Sequence, residues 1–295
     1  MAIQSPPAWI WDRLNHAGRS VGSADPDEYW SGQSATGSAG ITRAALPVRR
    51  IGIGDVMDAL IQGHEDFHAN RTDVVFLCLF YPILGFILAR FAFGYEFLPL
   101  IFPMASGFAL VGPFAAIGLN EMSRRREKGE EVQWSDVFGV LRAPSIGAIA
   151  MLGTILVVIF LAWLAVADAI YLVTLGPLPP ASLASFTHDL LHTAAGWEMI
   201  ILGIGVGFLF ALLVLSITAV SFPLLLDHKI GLGTAIRTSI RTIRKNPVPM
   251  MVWGGIIAAG LVLGSIPFFL GLVIVLPVLG HATWHLYRKL VPPLT

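Results

Sequence analysis

Long apolar runs separated by short charged segments dominate the pattern of this 295-residue chain. The hydrocarbon core of a bilayer is about 30 Å thick and needs about 20 apolar residues per helix. Four runs are long enough, and they cover residues 74–93, 98–120, 146–173 and 198–226. We therefore predict one transmembrane helix for each run.

A fifth apolar stretch, Val248 to Leu290, is too long for one span. At about 1.5 Å per residue, a continuous helix of that length would measure about 60 Å. The sequence Gly-Ser-Ile-Pro at 264–267 interrupts the stretch, because a proline does not continue a regular helix. The stretch therefore predicts two more spans, at 248–264 and 267–287, which gives an all-α integral membrane protein with six spans.

Short amphipathic segments precede three of the predicted spans. Two of them open with similar residues, Ile-Gly-Ile-Gly at 51–54 and Ile-Gly-Leu-Gly at 230–233, and the other runs from Trp134 to Leu141. The first segment has an apolar face formed by Val56, Met57, Leu60, Ile61 and Phe67. The last has an apolar stripe formed by Ile236, Ile240 and Ile243. The pattern predicts three transmembrane hairpins, each preceded by an interfacial helix.

Composition agrees with a membrane protein and excludes other classes. Hydrophobic residues make up 55% of the chain and charged residues 13%, about half the roughly 25% that is usual in soluble domains. The formal net charge is zero, so the charge balance does not indicate a nucleic-acid partner. The single cysteine, Cys78, excludes a disulfide framework and a cysteine-based metal site within one chain.

Lysine and arginine are distributed very unevenly along the chain. If the N-terminus is inside, the inner segments are 1–73, 121–145, 227–247 and 288–295. They hold eighteen of the nineteen basic residues, and the remaining one, Arg90, lies in the first span. This bias satisfies the positive-inside rule and predicts that both termini are cytoplasmic.

The start of the chain lacks the basic and apolar regions of a signal peptide. Residues 1–50 are rich in Pro, Gly and Ser, which is typical of a segment with little secondary structure. We therefore predict a cytoplasmic tail over 1–50 and a six-span transmembrane domain over 51–290.

Three motifs resemble one known family. The longest is GFALVGPFAAIGL at 107–119, followed by Glu121, Ser123-Arg124-Arg125 and Glu127. The others are Ser239-Ile240-Arg241 with Asn246-Pro247, and GHATWHLYR at 280–288. Over about residues 50–290 the chain is similar to the bacterial integral membrane proteins of domain-of-unknown-function family 2189. This resemblance implies a multi-span protein of the bacterial inner membrane and implies no particular activity.

The sequence GHEDFH at 63–68 contains His-Glu-x-x-His. On a helix, this spacing places two imidazoles on one face beside a carboxylate, as in zinc metalloproteases. Asp66 puts a charge between the ligands and no third-ligand motif follows, so we favour an interfacial helix that Asp66 and Phe67 cap and anchor. The alternative is a zinc site formed by His64, Glu65 and His68.

Two other histidine pairs have the same spacing of four, which places each pair on one helix face. His188 and His192 lie in an outer segment, where a solvated face is favoured over a surface metal site. His281 and His285 lie in the inner half of the sixth span, and the family resemblance includes them. For this pair we favour helix packing over haem binding or proton relay.

Ionisable residues inside a membrane are costly and are usually paired or functional. Arg90 and Asp168 lie late in the first and third spans. We predict that Arg90 pairs with Asp168 or with Glu96, and the alternative is that Arg90 extends alone to the outer surface. Glycines spaced four apart, which permit close helix packing, are Gly203 with Gly207 and Gly260 with Gly264.

The sequence contains no phosphate loop, nucleophile elbow, haem-attachment motif or nucleotide fingerprint. We therefore expect a non-catalytic accessory or scaffold subunit, or an assembly factor, of a larger inner-membrane complex of respiratory or photosynthetic type. Its expected partners are the lipid bilayer and other membrane-protein subunits, and no cofactor is predicted. One alternative is a small-solute transporter or channel, for which the spans offer few polar residues. Another is a membrane zinc-dependent hydrolase that uses HEDFH.

Overall fold

The computed structural model describes residues 46–69, 98–143, 145–267 and 270–292, and all regular structure in them is helical. Two 3₁₀ helices cover Leu98–Leu100 and Trp134–Arg142. The α-helices are α1 (Ile53–Ala69), α2 (Ile101–Glu127), α3 (Ile146–Thr174), α4 (Leu183–His192), α5 (Ala194–Thr218), α6 (Ser221–Asp227), α7 (Leu232–Lys245), α8 (Pro247–Ser265) and α9 (Leu272–Leu290). The predicted first span, 74–93, lies outside the described residues.

Three described stretches are long and apolar enough to cross a membrane: 146–174, 194–227 and 247–265. They correspond to the predicted third, fourth and fifth spans. Helix α2 covers the predicted second span and continues to Glu127. Helix α9 covers most of the predicted sixth span but is not among the three, and its second half carries two histidines and two basic residues.

Two breaks in the apolar runs lie next to a proline. Helix α8 ends at Ser265, just before Pro267, which confirms the predicted interruption. The predicted fourth span also contains a break, since α5 ends at Thr218 and α6 begins at Ser221. Pro223 explains it, because its ring would clash with the carbonyl group of Ala219 in a continuous helix.

Helix α9 forms the centre of the core. It packs against α1, α2 and α8, and the side chains of Trp284 and Tyr287 are fully buried. Helices α1 and α9 are closest at Gly63, where an added Cβ atom would lie 2.5 Å from the backbone nitrogen of Ala282. Glycine is therefore required at this crossing.

Other glycines act within the same chain. An added Cβ atom would lie 3.2 Å from the Trp163 ring at Gly207, 3.0 Å from Val275 at Gly260, and 2.7 Å from Leu272 at Gly264. At Gly203 it would meet nothing within 4 Å. Three of the four glycines in the GxxxG pairs therefore lie against neighbouring side chains of this chain.

The two long amphipathic helices bury faces that differ from the expected ones. In α1, Val56 and Phe67 are buried, but Met57 and Ile61 are exposed. In α7, the isoleucine stripe is only half-buried. The fully buried face of α7 consists of small residues, namely Thr234, Ala235, Thr238, Ser239 and Thr242. Small side chains let α7 pack closely on α5 and α6. The buried face of this helix is therefore decided by its fit against neighbouring helices and not by apolar character alone.

Residues 46–51, which have no regular secondary structure, pack between α7 and α9. The backbone nitrogen of Arg49 donates to the carbonyl oxygen of Leu290 at 2.8 Å. The Asn246 side chain accepts from the backbone nitrogen of Ile51 at 2.8 Å and donates to the carbonyl oxygen of Arg49 at 3.0 Å. These bonds fix the chain just before α1 begins.

Candidate functional site

Charged and polar side chains gather where α1, α2, α6 and α9 meet. We call this cluster the polar layer. It consists of Asp66, Glu121, Ser123, Arg124, Arg125, Arg126, Glu127, Asp227, His281, Trp284, His285, Tyr287 and Arg288. Several of these groups are buried, which is costly unless each finds a partner.

Asp66 is the centre of the polar layer and is only 6% exposed. Its Oδ2 atom accepts a hydrogen bond from the Ser123 hydroxyl at 2.5 Å and lies 2.8 Å from Nε2 of His285. Its Oδ1 atom lies 3.3 Å from a guanidinium nitrogen of Arg126. Because these partners come from α2 and α9, one carboxylate of α1 connects three helices.

The charge of Asp66 is stabilised by these partners. Burial by itself raises the pKa of Asp66, but the hydrogen bonds from His285 and Ser123 and the charges of nearby histidines lower it. The net effect is a pKa below the usual value for aspartate. Asp66 is therefore an ionised residue at neutral pH, held in place by its donors.

Ser123, His281 and Asp66 are the residue types of a hydrolase triad, but they are connected differently. In a catalytic triad the histidine lies between the serine and the carboxylate. Here the Ser123 hydroxyl lies between them, 2.8 Å from Nδ1 of His281 and 2.5 Å from Asp66. Since the serine proton goes to Asp66, Nδ1 of His281 donates to the serine oxygen and cannot act as its base. Ser123 is also 1% exposed, so the arrangement joins helices and does not present a nucleophile.

Arg288 organises a second branch of the polar layer. It donates to Asp227 at 2.8 Å and to Glu127 at 3.0 Å. Its guanidinium carbon lies 4.7 Å from the centre of the Trp284 ring, within the range of a cation–π interaction. Trp284 and Tyr287 donate to the same two carboxylates, Glu127 and Asp227, both at 2.9 Å. The C-terminal end of α9 is thereby fixed to α2 and α6.

Glu121 is the centre of a third branch. Its buried carboxylate accepts two hydrogen bonds from Arg124, at 2.7 and 2.9 Å, and one from Arg125 at 2.9 Å. Arg125 also donates to Asp136 at 2.8 Å, in the second 3₁₀ helix. Two-point contact with a guanidinium group is among the strongest hydrogen-bonding arrangements available to a carboxylate. This branch attaches the loop after α2 to the end of that helix.

The buried position of Asp66 corrects one expectation. We expected Asp66 to cap α1, but it lies inside the helix and bonds to other helices, so that expectation is wrong. A sequence signal for burial does exist: Val56, Ala59, Gly63 and Asp66 follow one another at spacings of three and four. Residues at these spacings share a helix face.

The first histidine pair faces away from the polar layer. His64 and His68 are both exposed, and their Nε2 atoms lie 3.2 Å apart. Glu65 is exposed as well, and its carbonyl oxygen accepts from Arg126 at 3.2 Å. Within the described ranges, no group of three His, Cys, Asp or Glu side chains could hold a metal ion.

The remaining predicted site residues that the structure describes lie away from the polar layer. His188 and His192 are exposed on α4, and their rings are stacked with centres 4.8 Å apart. Asp168 is exposed on α3 and has no ion pair among the described residues. Arg90, its predicted partner, lies outside them, as does Glu96, the other partner predicted for Arg90.

Comparison with known proteins gives one match. No curated protein and no solved structure matches the chain. The matching region includes the motif at 107–119 and the α2 residues of the polar layer, whereas the motifs near Ser239 and Gly280 lie beyond it. The match confirms the resemblance drawn from the sequence: residues 101–227, from the start of α2 to the end of α6, match the family of predicted integral membrane proteins DUF2189.

Proposed function

We propose that this integral membrane protein is a non-catalytic accessory or scaffold subunit, or an assembly factor, of a larger bacterial inner-membrane complex of respiratory or photosynthetic type. The observation that carries the proposal is the use of the buried charges. The two buried carboxylates of the described residues, Asp66 and Glu121, are both engaged by side chains of the polar layer. Asp66 holds α1, α2 and α9 together, and Glu121 holds two arginines at the end of its own helix.

The contacts between segments support six spans with both termini in the cytoplasm. Lys289 lies 3.5 Å from Asp58, Arg126 contacts Asp66, and the Ser145 hydroxyl donates to the carbonyl oxygen of His228 at 3.0 Å. These contacts join the segments that the positive-inside rule assigns to the cytoplasm. An even number of spans between them accounts for this arrangement.

The surface of the long helices supports contact with lipid or with other subunits. Val158 and Leu161 on α3, and Ile201, Ile204 and Leu209 on α5, are all more than half exposed. Exposed apolar surface of this extent is typical of residues that face the bilayer or a membrane partner. A solute transporter is supported less well, because no charged residue is among the described residues that line an apolar cavity between α5 and α8.

Purification from native membranes tests the proposal. The tagged chain, expressed at its native level, is solubilised in digitonin, and we expect other membrane subunits to co-purify in fixed ratio. A Val158→Trp and Leu161→Trp variant keeps α3 apolar but changes its shape, and it should lose those subunits if α3 contacts them. The matched control is Leu263→Trp, at an exposed position of α8.

A single species of monomer mass, obtained under conditions in which known respiratory complexes stay intact, contradicts the proposal. Reporter fusions after residues 145 and 295 test the orientation separately, and we expect both reporters to be active on the cytoplasmic side.

A further inference from the structure

An apolar cavity of about 380 Å³ lies between α5 and α8, and residues of α2, α3, α6 and α9 complete its lining. Its walls include Trp163, Phe210 and Leu279, and none of the described lining residues is charged. Its volume is in the range of about 300–1,000 Å³ found for ligand sites. Cavities with apolar walls stay dry and bind apolar molecules.

The cavity opens sideways between two helices that are apolar enough to span a membrane. Helices α5 and α8 approach each other at Leu215 and Gly254, where an added Cβ atom would lie 3.0 Å from the leucine side chain. Phe208 and Met251 line the cavity and are 51% and 46% exposed, so it reaches the outer surface of the helices. An occupant therefore enters from the bilayer.

Among the residues that the structure describes, one polar side chain in the lining has no hydrogen-bond partner. Asn120 of α2 is 0% exposed, and neither its Nδ2 nor its Oδ1 atom has a hydrogen-bond partner among the described residues. A buried amide left unpaired is unfavourable, and groups of this kind normally meet a ligand or an ordered water. The neighbouring hydroxyls of Thr218 and Thr283 already donate to carbonyl oxygens of their own helices, both at 2.7 Å. Both can still accept.

These groups define the chemistry of the occupant. The Asn120 amide has one donor group, its NH2, and one acceptor, its carbonyl oxygen. A lipid headgroup that carries both a hydroxyl and a carbonyl group therefore satisfies it. A phosphate or an ammonium group would be buried here without a counter-charge, which excludes charged heads from the cavity. Asn120 precedes Arg124 by one helical turn, about 6 Å along the axis. It therefore lies close to the polar layer, at the depth of the ester groups of a bilayer lipid.

From these observations we infer that the cavity binds a neutral acylglycerol, with its glycerol hydroxyl and ester carbonyl on Asn120 and an acyl chain between α5 and α8. This binding site is independent of any partner complex. It gives the protein a specific neutral lipid as a structural or regulatory ligand.

Quenching of tryptophan fluorescence tests the inference, because Trp163 and Trp253 both line the cavity. The purified protein in detergent is titrated with dioleoylglycerol brominated on its acyl chains, and with phosphatidylcholine brominated in the same way. We expect saturable quenching by the diacylglycerol and only weak quenching by phosphatidylcholine. Trp163→Phe should remove part of the saturable signal, and Trp163→Phe combined with Trp253→Phe should remove most of it.

Two variants complete the test. Asn120→Leu removes the polar group at similar volume, and we expect about a tenfold weaker apparent affinity for the diacylglycerol. Its melting temperature should stay the same or rise, whereas loss of a purely structural hydrogen bond would lower it. Ala211→Trp fills the mouth from an exposed position and should block quenching even if Asn120→Leu does not fold.

The inference is overturned by any of three results. The first is an absence of saturable quenching, as expected if only water or detergent occupies the cavity. The second is equal quenching by the two lipids. The third is an Asn120→Leu protein that folds and binds the diacylglycerol as tightly as wild type.

Discussion

Replacing Asp66 by asparagine removes one negative charge from the centre of the polar layer and keeps the size of the side chain. Ser123 and His285 each lose a charged acceptor, and the Arg126 guanidinium loses its ion pair. The substitution therefore tests whether this carboxylate holds α1, α2 and α9 together.

The size of the effect follows from the burial of each contact. Hydrogen bonds to charged groups contribute about 1.5–3 kcal/mol each, and the asparagine side chain retains part of this. The Arg126 side chain is 41% exposed, so its contact with Asp66 adds no more than about 1 kcal/mol. We expect the free energy of unfolding to fall by about 3 kcal/mol, in line with the cost of breaking a buried charge pair. For a chain of this size, that corresponds to a melting temperature lower by about 6–12 °C.

Thermal unfolding in dodecyl maltoside, followed by intrinsic fluorescence, measures the change. Asp58→Asn is the matched control, because it is the same substitution on the same helix. The Asp58 carboxylate lies 3.5 Å from Lys289 but is 61% exposed, so its loss should cost less than about 1 kcal/mol.

Acidification adds a second measurement on the same pair of proteins. Since the pKa of Asp66 is below its usual value, its contribution to stability is present above the unfolded pKa of about 3.9 and is lost as the pH falls through the folded pKa. The difference in melting temperature between wild type and Asp66→Asn should stay constant from about pH 7 to about pH 5 and shrink below about pH 4. A loss no larger than that of Asp58→Asn, or a difference that is the same at about pH 3 as at pH 7, would refute the reasoning.

Three further changes probe the packing around this centre. Gly63→Val should abolish recovery of monodisperse protein in gel filtration, because α9 leaves no space there, whereas Gly203→Val should be recovered like wild type; equal recovery of the two variants would contradict this. Glu121→Gln should lower the free energy of unfolding by about 3 kcal/mol, measured by thermal unfolding, because two arginines lose their buried counter-charge. Asn246→Leu should speed tryptic cleavage within 46–51, because that segment loses both side-chain bonds to Asn246; an unchanged cleavage rate would argue that other contacts hold it.

The membrane class and the order of the helices follow from the sequence because they depend on local properties. The length of an apolar run decides whether a helix can cross a bilayer. Pro267 stops α8 from continuing, whereas Pro277 lies inside α9 and does not end it. The break between α5 and α6 has the same local cause, Pro223, and could have been predicted. The family match over 101–227 likewise follows from residues read along the chain.

The candidate site depends on tertiary structure because its partners are distant in sequence. Asp66 and His285 are 219 residues apart, and Ser123 and His281 are 158 apart. The histidines of GHEDFH attract attention as a metal motif, yet its buried residues are Gly63, Asp66 and Phe67. The spacing of Val56, Ala59, Gly63 and Asp66 places them on one face of α1, but only the packing of α2 and α9 makes that face the buried one.

The sequence by itself therefore determined that this is a helical membrane protein, where its long apolar runs lie, and which segments carry the positive charge. Only the tertiary structure decided which face of α1 and of α7 is buried and that Asp66 is the centre of a polar layer. It also decided that Asn120, beside an apolar cavity, has no hydrogen-bond partner among the described residues. The physical reason is that hydropathy and helix breaks act over a few residues. The partner of a buried polar group, by contrast, is set by how distant helices pack against each other.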